Sequence, residues 1–276
     1  MLASNQPQKE SLKATLVVAS DVHIQHMADH RGRLLLDLVE RLSSEVEVLV
    51  LNGDIFDFCF GDAAYFRRKF RLLGEALEAT VKRGIRVVFV EGNHEVHMDR
   101  SGWVGVEFVL AKDFALTLRG GERIKITHGD LITEDPLYRA FRSLVKSQFA
   151  RRAASYLPGG WLDAYSLRHA KISRSRDPYR TLDHERILEA FRGWLDEGVF
   201  DHGIIGHFHV PYAEPRAGRS GLLLSVDSWD RPNALIYRDG GFLRVHLQEP
   251  GQPFVVEPVA PLFGGQPISG SEIKNF

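Results

Sequence analysis

The sequence predicts an α/β protein built on a buried, mainly parallel sheet. Three observations carry that expectation. Short apolar, β-branched runs such as Val48-Leu49-Val50-Leu51 have the composition of strands covered on both faces. Between them lie stretches whose apolar residues recur every three or four positions, the period of a helix with one buried face. The two kinds alternate, and strand, helix, strand is the parallel crossover unit.

Residues 15–20 read as the first strand, and Asp21-Val22-His23 follows at its end. Leu34, Leu35, Leu38 and Leu42 predict a helix over 31–44. The second strand, 48–51, stops at Asn52-Gly53-Asp54. Phe66, Phe70, Leu73, Leu77 and Val81 predict a helix over 63–83, with Gly84 as its stop. The third strand, 85–90, runs into Glu91-Gly92-Asn93-His94-Glu95. Two strands at 114–118 and 123–127 turn at Arg119-Gly120-Gly121 and end in His128-Gly129-Asp130. The segment 131–201 breaks this rhythm with predicted helices at 136–157, 161–171 and 183–197; Pro136 suits a helix start and Pro158-Gly159-Gly160 a break. Sheet pattern returns at 203–206, which ends in His207-Phe208-His209, and continues at 222–226, 234–237, 242–247 and 254–256. The expected organisation is a core of residues 14–130 and 202–258, a helical lid of 131–201, and terminal extensions 1–13 and 259–276.

At 276 residues the chain can form one large core with an insertion. Its net charge of −1 names no partner. No nucleic-acid motif accompanies the basic residues, so nucleic acid is not expected, and no obligate protein partner is evident. The single Cys59 excludes an internal disulfide and fits a reducing compartment. It reads as a small core residue rather than a nucleophile. Residues 1–13 are polar and no run reaches eighteen apolar residues, so neither a signal peptide nor a transmembrane helix is expected.

Five strand ends carry metal-ligand chemistry: Asp21 with His23, Asp54, Asn93 with His94, His128, and His207 with His209. Each lies where open α/β sheets bind ligands, past the carboxyl end of a strand. Imidazole and carboxylate together suit zinc, manganese or iron. A single such pair reads equally well as turn or cap residues, but five successive sets do not. Asp57, Glu95 and Asp130 are candidates to orient the ligands or are ordinary loop carboxylates. His26 and His97 lie near the site in sequence.

Asp-x-His, Gly-Asp, Gly-Asn-His-Glu, His and Gly-His-x-His, in this order, resemble the calcineurin-like metallophosphoesterases. The motifs span residues 21–209. The resemblance implies a four-layer α/β/β/α sandwich with two divalent metal ions at the strand ends. It implies that Asp21, His23 and His209 hold one ion, that Asn93, His128 and His207 hold the other, and that Asp54 bridges them. Two ions side by side can clamp both ends of an in-line displacement at phosphorus. Asp54 and His94 are the expected catalytic residues, His94 as proton donor to the leaving oxygen or as stabiliser of phosphoryl charge. A binding scaffold on an inactive form of the fold would lack ligands, and none is missing.

The insertion bears on the substrate. Between residues 138 and 180, ten Lys and Arg stand against Asp163 and Asp177, a local charge of +8. Phe141, Leu144, Phe149, Tyr156 and Trp161 are interleaved with them. That mixture suits a lid over an anionic, lipid-like ligand or a surface resting on an acidic membrane, and equally a packed helical hairpin with a solvated basic face. His128-Gly129-Asp130-Leu131-Ile132-Thr133-Glu134-Asp135, then Tyr138-Arg139-Ala140-Phe141-Arg142, together with Asp227-Ser228-Trp229, is similar to the bacterial UDP-2,3-diacylglucosamine diphosphatases of lipid A synthesis. That similarity implies manganese, cleavage of an acylated UDP-sugar to UMP and 2,3-diacylglucosamine 1-phosphate, and work at the cytoplasmic face of the inner membrane as a peripheral protein. It implies substrate contacts from Asn93, His94, Asp135, Arg139, Arg142, Lys171, Arg174 and Arg176. Two features depart from that family's pattern. Gly-Asn-His-Glu stands where Gly-Asn-Arg-Asp is usual, and the interval from His128 to Tyr138 is one residue shorter. His94 therefore keeps open a general phosphodiesterase or phosphatase acting on another anionic phosphoester, lipid or nucleotide.

Overall fold

The computed structural model describes residues 10–110, 113–132, 136–164, 168, 184–196, 198–209, 212–216 and 221–259. Its strands are β1 (Leu16–Ala19), β2 (Val48–Asn52), β3 (Cys59–Phe60), β4 (Arg86–Val90), β5 (Glu95–Val96), β6 (Glu107–Val109), β7 (Phe114–Thr117), β8 (Arg123–Thr127), β9 (His202–Ile205), β10 (Tyr212–Pro215), β11 (Leu222–Ser225), β12 (Asn233–Arg238), β13 (Gly241–His246) and β14 (Val255–Pro258). Its helices are α1 (His30–Glu40), α2 (Ala64–Lys69), α3 (Arg71–Lys82), α4 (Pro136–Val145), α5 (Gln148–Ser155) and α6 (His184–Asp196).

β1, β2 and β4 run parallel at the centre of a seven-stranded sheet ordered β14-β13-β12-β1-β2-β4-β6. The register sets Val18 beside Val50 and Val50 beside Val88, so alternate residues form rows on opposite faces. One face presents Leu16, Val18, Val48, Val50, Val88 and Val90 to Ile124, Ile126, Ile204 and Leu224 of a second sheet, ordered β10-β11-β9-β8-β7. The other face presents Val17, Leu49, Leu51, Val87 and Phe89 to Leu34, Leu35 and Leu38 of α1 and to Phe66, Leu73 and Leu77 of α2 and α3. On the far side of the second sheet, Ile205 and Leu223 meet Phe191, Trp194 and Leu195 of α6. The result is the four-layer α/β/β/α sandwich. It also explains the unbroken apolar runs, because these strands have no wet face.

Several elements differ from expectation. The helix expected over 63–83 is two helices: Phe70 leaves the helical region (φ −108°, ψ 20°) and its ring packs on Phe56 at 4.0 Å between centroids. The helix expected over 136–157 breaks at Ser147, whose hydroxyl caps α5 by accepting from the Ala150 amide. The lid boundaries 131–201 enclose α6, yet its buried face supplies the fourth layer of the sandwich. The short pair β3–β5 and the edge strands β6 and β10 lacked an alternating apolar signature. Asp135, Lys171, Arg174 and Arg176 lie outside the described residues. No described helix is long and apolar enough to cross a membrane.

Candidate metal centre

β1, β2 and β4 of one sheet and β8 and β9 of the other all end at the same edge of the sandwich. The residues that follow them therefore converge across the cleft between the two sheets. Asp21, His23, Asp54, His207 and His209 each have positive φ, between 51° and 69°. That conformation is uncommon for residues with a Cβ and clusters where chain geometry serves a site. It turns the chain sharply where each of these donors stands.

Two glycines make the approach close enough. Gly53 has φ +78°, and a Cβ there would lie 2.5 Å from His128 Nδ1. A Cβ on Gly92 would lie 2.4 Å from Asp54 Oδ1. The glycines of Gly-Asp and Gly-Asn-His-Glu are thus needed to bring a ligand from one loop against the next loop.

Among the described residues, three groups of donors could each hold an ion, with one atom per residue and all three atoms within 4.8 Å: Asp21, His23 and His209; His23, Asp54 and His94; Asp54, His128 and His207. Asp54 belongs to two of them. Asn93 joins the last group through its Oδ1, 3.1 Å from His128 Nε2. The structure therefore brings together every donor singled out in the sequence.

The backbone sets the imidazole tautomers. His128 Nδ1 donates to the Asn52 carbonyl at 2.9 Å and His94 Nδ1 to the Asp57 carbonyl at 2.7 Å. A carbonyl can only accept, so the proton sits on Nδ1 and each Nε2 faces the cleft. His128 Nε2 then lies 3.4 Å from Asp54 Oδ1, and His94 Nε2 3.8 Å from Asp54 Oδ2. Neutral His128 would thus set its lone pair against two oxygen acceptors, Asp54 and Asn93. That arrangement needs a cation among them, either a proton or a metal ion. His23 Nδ1 is buried without a hydrogen-bond partner among the described residues. The donor set of carboxylates, imidazoles and one carboxamide fits divalent manganese, zinc or iron.

The electrostatics are consistent with this. Burial would raise Asp54 and Asp21, but the surrounding imidazoles outweigh it and hold both below the ordinary carboxylate range. Burial pushes His23 and His207 down to about 4, leaving neutral imidazoles free to ligate. His128 goes the other way, to about 10, because the Asp54 charge overcomes burial.

Residues beneath the donors hold them in place. The Ser20 hydroxyl lies 2.6 Å from Asp21 Oδ2 and 2.7 Å from the Asn52 carbonyl. The Asn52 amide donates to the Thr127 carbonyl at 2.9 Å, linking the two sheets. Glu95 is fully buried and accepts from the amides of Asp54, Phe56 and Gly92 at 2.9, 3.1 and 3.0 Å. Burial, then the Asp54 charge, pushes Glu95 up to about 7. Asp57 approaches His23 Nδ1 at 3.6 Å. Asp130 accepts from Tyr138 Oη at 2.9 Å and from Arg142 Nε at 2.6 Å. Arg142, expected on the substrate, is therefore engaged with the protein, whereas Arg139 is exposed and reaches the Leu131 carbonyl at 3.4 Å. His26 is exposed; His97 is buried against Phe60, 6.0 Å between ring centroids. Cys59 is buried, and burial raises its thiol well above the ordinary value, so it is inert. Ser20 and Asn52 were not singled out in the sequence; a polar residue at the last position of an otherwise apolar strand is the signal that marks them.

A calcineurin-like phosphoesterase family model matches residues 14–211. Relatives named UDP-2,3-diacylglucosamine hydrolase are similar over most of both chains. The protein from Azotobacter vinelandii is 25% identical over 82% of this chain and 95% of its own. That from Neisseria gonorrhoeae is 24% identical over 80% and 92%, and that from Pseudomonas putida 25% over 78% and 91%.

Proposed function

The chain belongs to the calcineurin-like phosphoesterase family and is a metal-dependent phosphoester hydrolase, and from that premise we propose that it cleaves the pyrophosphate bond of UDP-2,3-diacylglucosamine, releasing UMP and 2,3-diacylglucosamine 1-phosphate. The observation that carries the reaction type is the run of donor groups joined through His23 and Asp54. In this reading Asp21, His23 and His209 hold one ion, Asn93, His128 and His207 the other, and Asp54 both. Manganese is the proposed metal. Two divalent ions held by these residues would supply activation of water and neutralisation of phosphoryl charge. Asn93 contributes a neutral oxygen, which leaves the loaded site positive toward a phosphate. His94 turns Nε2 into the cleft, where it meets the phosphoryl oxygens or the leaving oxygen. A sugar phosphate leaves without a proton, so charge stabilisation is the role proposed for His94 with this substrate.

Three things support the acylated UDP-sugar: the names of the relatives, the basic charge of the insertion, and its exposed apolar residues. Leu137, Leu144, Phe149, Tyr156 and Trp161 are all more than half exposed on the insertion. Apolar side chains beside Arg139 and Arg152 suit acyl chains and an anionic lipid surface. The same proposal keeps the insertion as a cap over the core, with α6, inside its expected span 131–201, counted with the core. It also places the protein at the cytoplasmic face of the inner membrane and assigns substrate contacts to Asn93, His94, Asp135, Arg139, Lys171, Arg174 and Arg176. Incubation with Mn²⁺ and the UDP-diacyl sugar should release UMP. Absence of UMP alongside brisk turnover of simple phosphodiesters would overturn the substrate. It would leave a general phosphodiesterase or phosphatase, the reading that an imidazole at position 94 favours.

A further inference from the structure

We propose that Arg142 and Lys146 are positioning residues of the metal centre, so that the first helix of the insertion is part of the catalytic frame and not only a cover over the substrate. The inference rests on the dinuclear reading of the site. It assigns Arg142 a role different from the substrate contact implied by sequence similarity.

The two residues are one turn apart: Arg142 lies in the last turn of α4, and Lys146 directly follows the helix, its amide donating to the Arg142 carbonyl at 2.9 Å. Arg142 donates Nε to Asp130 Oδ2 at 2.6 Å and reaches the Glu91 carbonyl with Nη2 at 3.5 Å. Lys146 Nζ lies 2.8 Å from Glu91 Oε1 and donates to the Gly92 carbonyl at 2.7 Å. Tyr138, one turn earlier, donates to the same Asp130 oxygen as Arg142. These are buried contacts: side-chain exposure is 13% for Arg142, 14% for Lys146, 4% for Asp130 and 3% for Glu91.

The partners belong to two different loops. Asp130 is two residues past His128, in the loop after β8 of the five-stranded sheet. Glu91 and Gly92 immediately precede Asn93, in the loop after β4 of the seven-stranded sheet. Asn93 Oδ1 and His128 Nε2 must meet across that boundary to hold one ion between them, and they lie 3.1 Å apart. No strand pairing joins β4 to β8. The basic C-terminal end of α4 does, with Arg142 touching both loops and Lys146, just past the helix, fixing the second. Partners that orient ligands in this way govern metal affinity as well as turnover. The other described ties between insertion and core avoid the ligands: Arg151 pairs with Asp62 at 2.6 Å, and Asp163 with Lys69 at 2.7 Å.

The test measures Mn²⁺ binding by calorimetry on chelator-stripped protein, alongside hydrolysis of bis(p-nitrophenyl) phosphate, a diester too small to need the cap. Arg142→Gln and Lys146→Gln should weaken binding of the second Mn²⁺ by about tenfold to a hundredfold. They should lower kcat for the small diester with little change in KM. Arg142→Lys and Lys146→Arg, which keep the charge, should recover part of both. Arg151→Gln removes a comparable tie that touches no ligand loop, and should match wild type in both measurements. Wild-type Mn²⁺ affinity and wild-type small-diester turnover in the Gln variants would overturn the proposal. So would equal losses in Arg151→Gln. If the Gln variants do not fold, the Lys and Arg variants decide: wild-type Mn²⁺ affinity in both overturns it. Wild-type protein that takes up fewer than two Mn²⁺ would instead defeat the dinuclear reading, a separate outcome visible before any variant is made.

Discussion

Replacing Glu95 should loosen the metal-ligand loops and destabilise the fold by an amount the structure allows to be worked out. Among the described residues its carboxylate is the acceptor for three buried amides, those of Asp54, Phe56 and Gly92. A buried N–H left without an acceptor costs about 1–3 kcal/mol. In Glu95→Gln the side-chain oxygen can still serve Asp54 and Gly92, which share Oε2, but the new amide group faces the Phe56 N–H. One bond is lost, for about 2 kcal/mol, which at this chain length lowers the melting temperature by roughly 4–6 °C. Glu95→Ala strands all three donors. Their summed cost, about 3–9 kcal/mol, rivals a typical domain stability of about 5–15 kcal/mol. Water entering the vacated space keeps the loss toward the lower end. Thermal melts of chelator-stripped protein measure this directly, and Mn²⁺ titration of Glu95→Gln should show weakened binding because the Asp54 and Asn93 loops share this clamp. A Glu95→Ala melt within about 2 °C of wild type would refute the reasoning.

Other outcomes follow from the same geometry. Asp54→Ala should abolish hydrolysis while preserving the far-ultraviolet circular dichroism, and retained turnover would refute its bridging position. Stripping the metal with a chelator should abolish activity and added Mn²⁺ should restore it; activity that survives stripping would contradict the assignment of the donor set. His94→Ala should cost a similar factor, about a hundredfold, on esters with good and poor leaving groups, as expected of a group that neutralises phosphoryl charge. A loss confined to poor leaving groups would make His94 the proton donor instead. His202 supplies a pH dependence away from the metal. Burial lowers its pKa below 6.5, and its Nδ1 accepts from the Leu222 amide at 3.0 Å. A histidine depressed in the fold binds its proton more readily when unfolded, so its contribution is complete above pH 6.5 and is lost as pH falls below it. His202→Asn keeps an acceptor but does not titrate, and should flatten part of the acid limb of the stability profile; an unchanged limb would count against this.

What the sequence determined by itself is the part that obeys local rules. Period-two and period-3.6 patterns are written in consecutive residues, so the strand and helix alternation and the two-sided burial of β1, β2 and β4 could be read directly. The candidate metal donors were legible for the same reason, since each stands within a few residues of a strand end and carries a side chain with little other use there. Only the tertiary structure decided how those donors are shared. The tautomers of His94 and His128 depend on the Asp57 and Asn52 carbonyls, thirty-seven and seventy-six residues away. The helix at 184–196 joins the fourth layer because Phe191, Trp194 and Leu195 find Ile205 and Leu223, a fit no helical period specifies. The basic residues of the insertion show this most plainly. Arg139 and Arg142 are alike in a sequence, but one is exposed and reaches the Leu131 carbonyl while the other grips Asp130. Lys146 meets Glu91 from fifty-five residues away. Charge is a property of composition, but its partner is chosen by the packing that brings distant chain segments within a few ångströms.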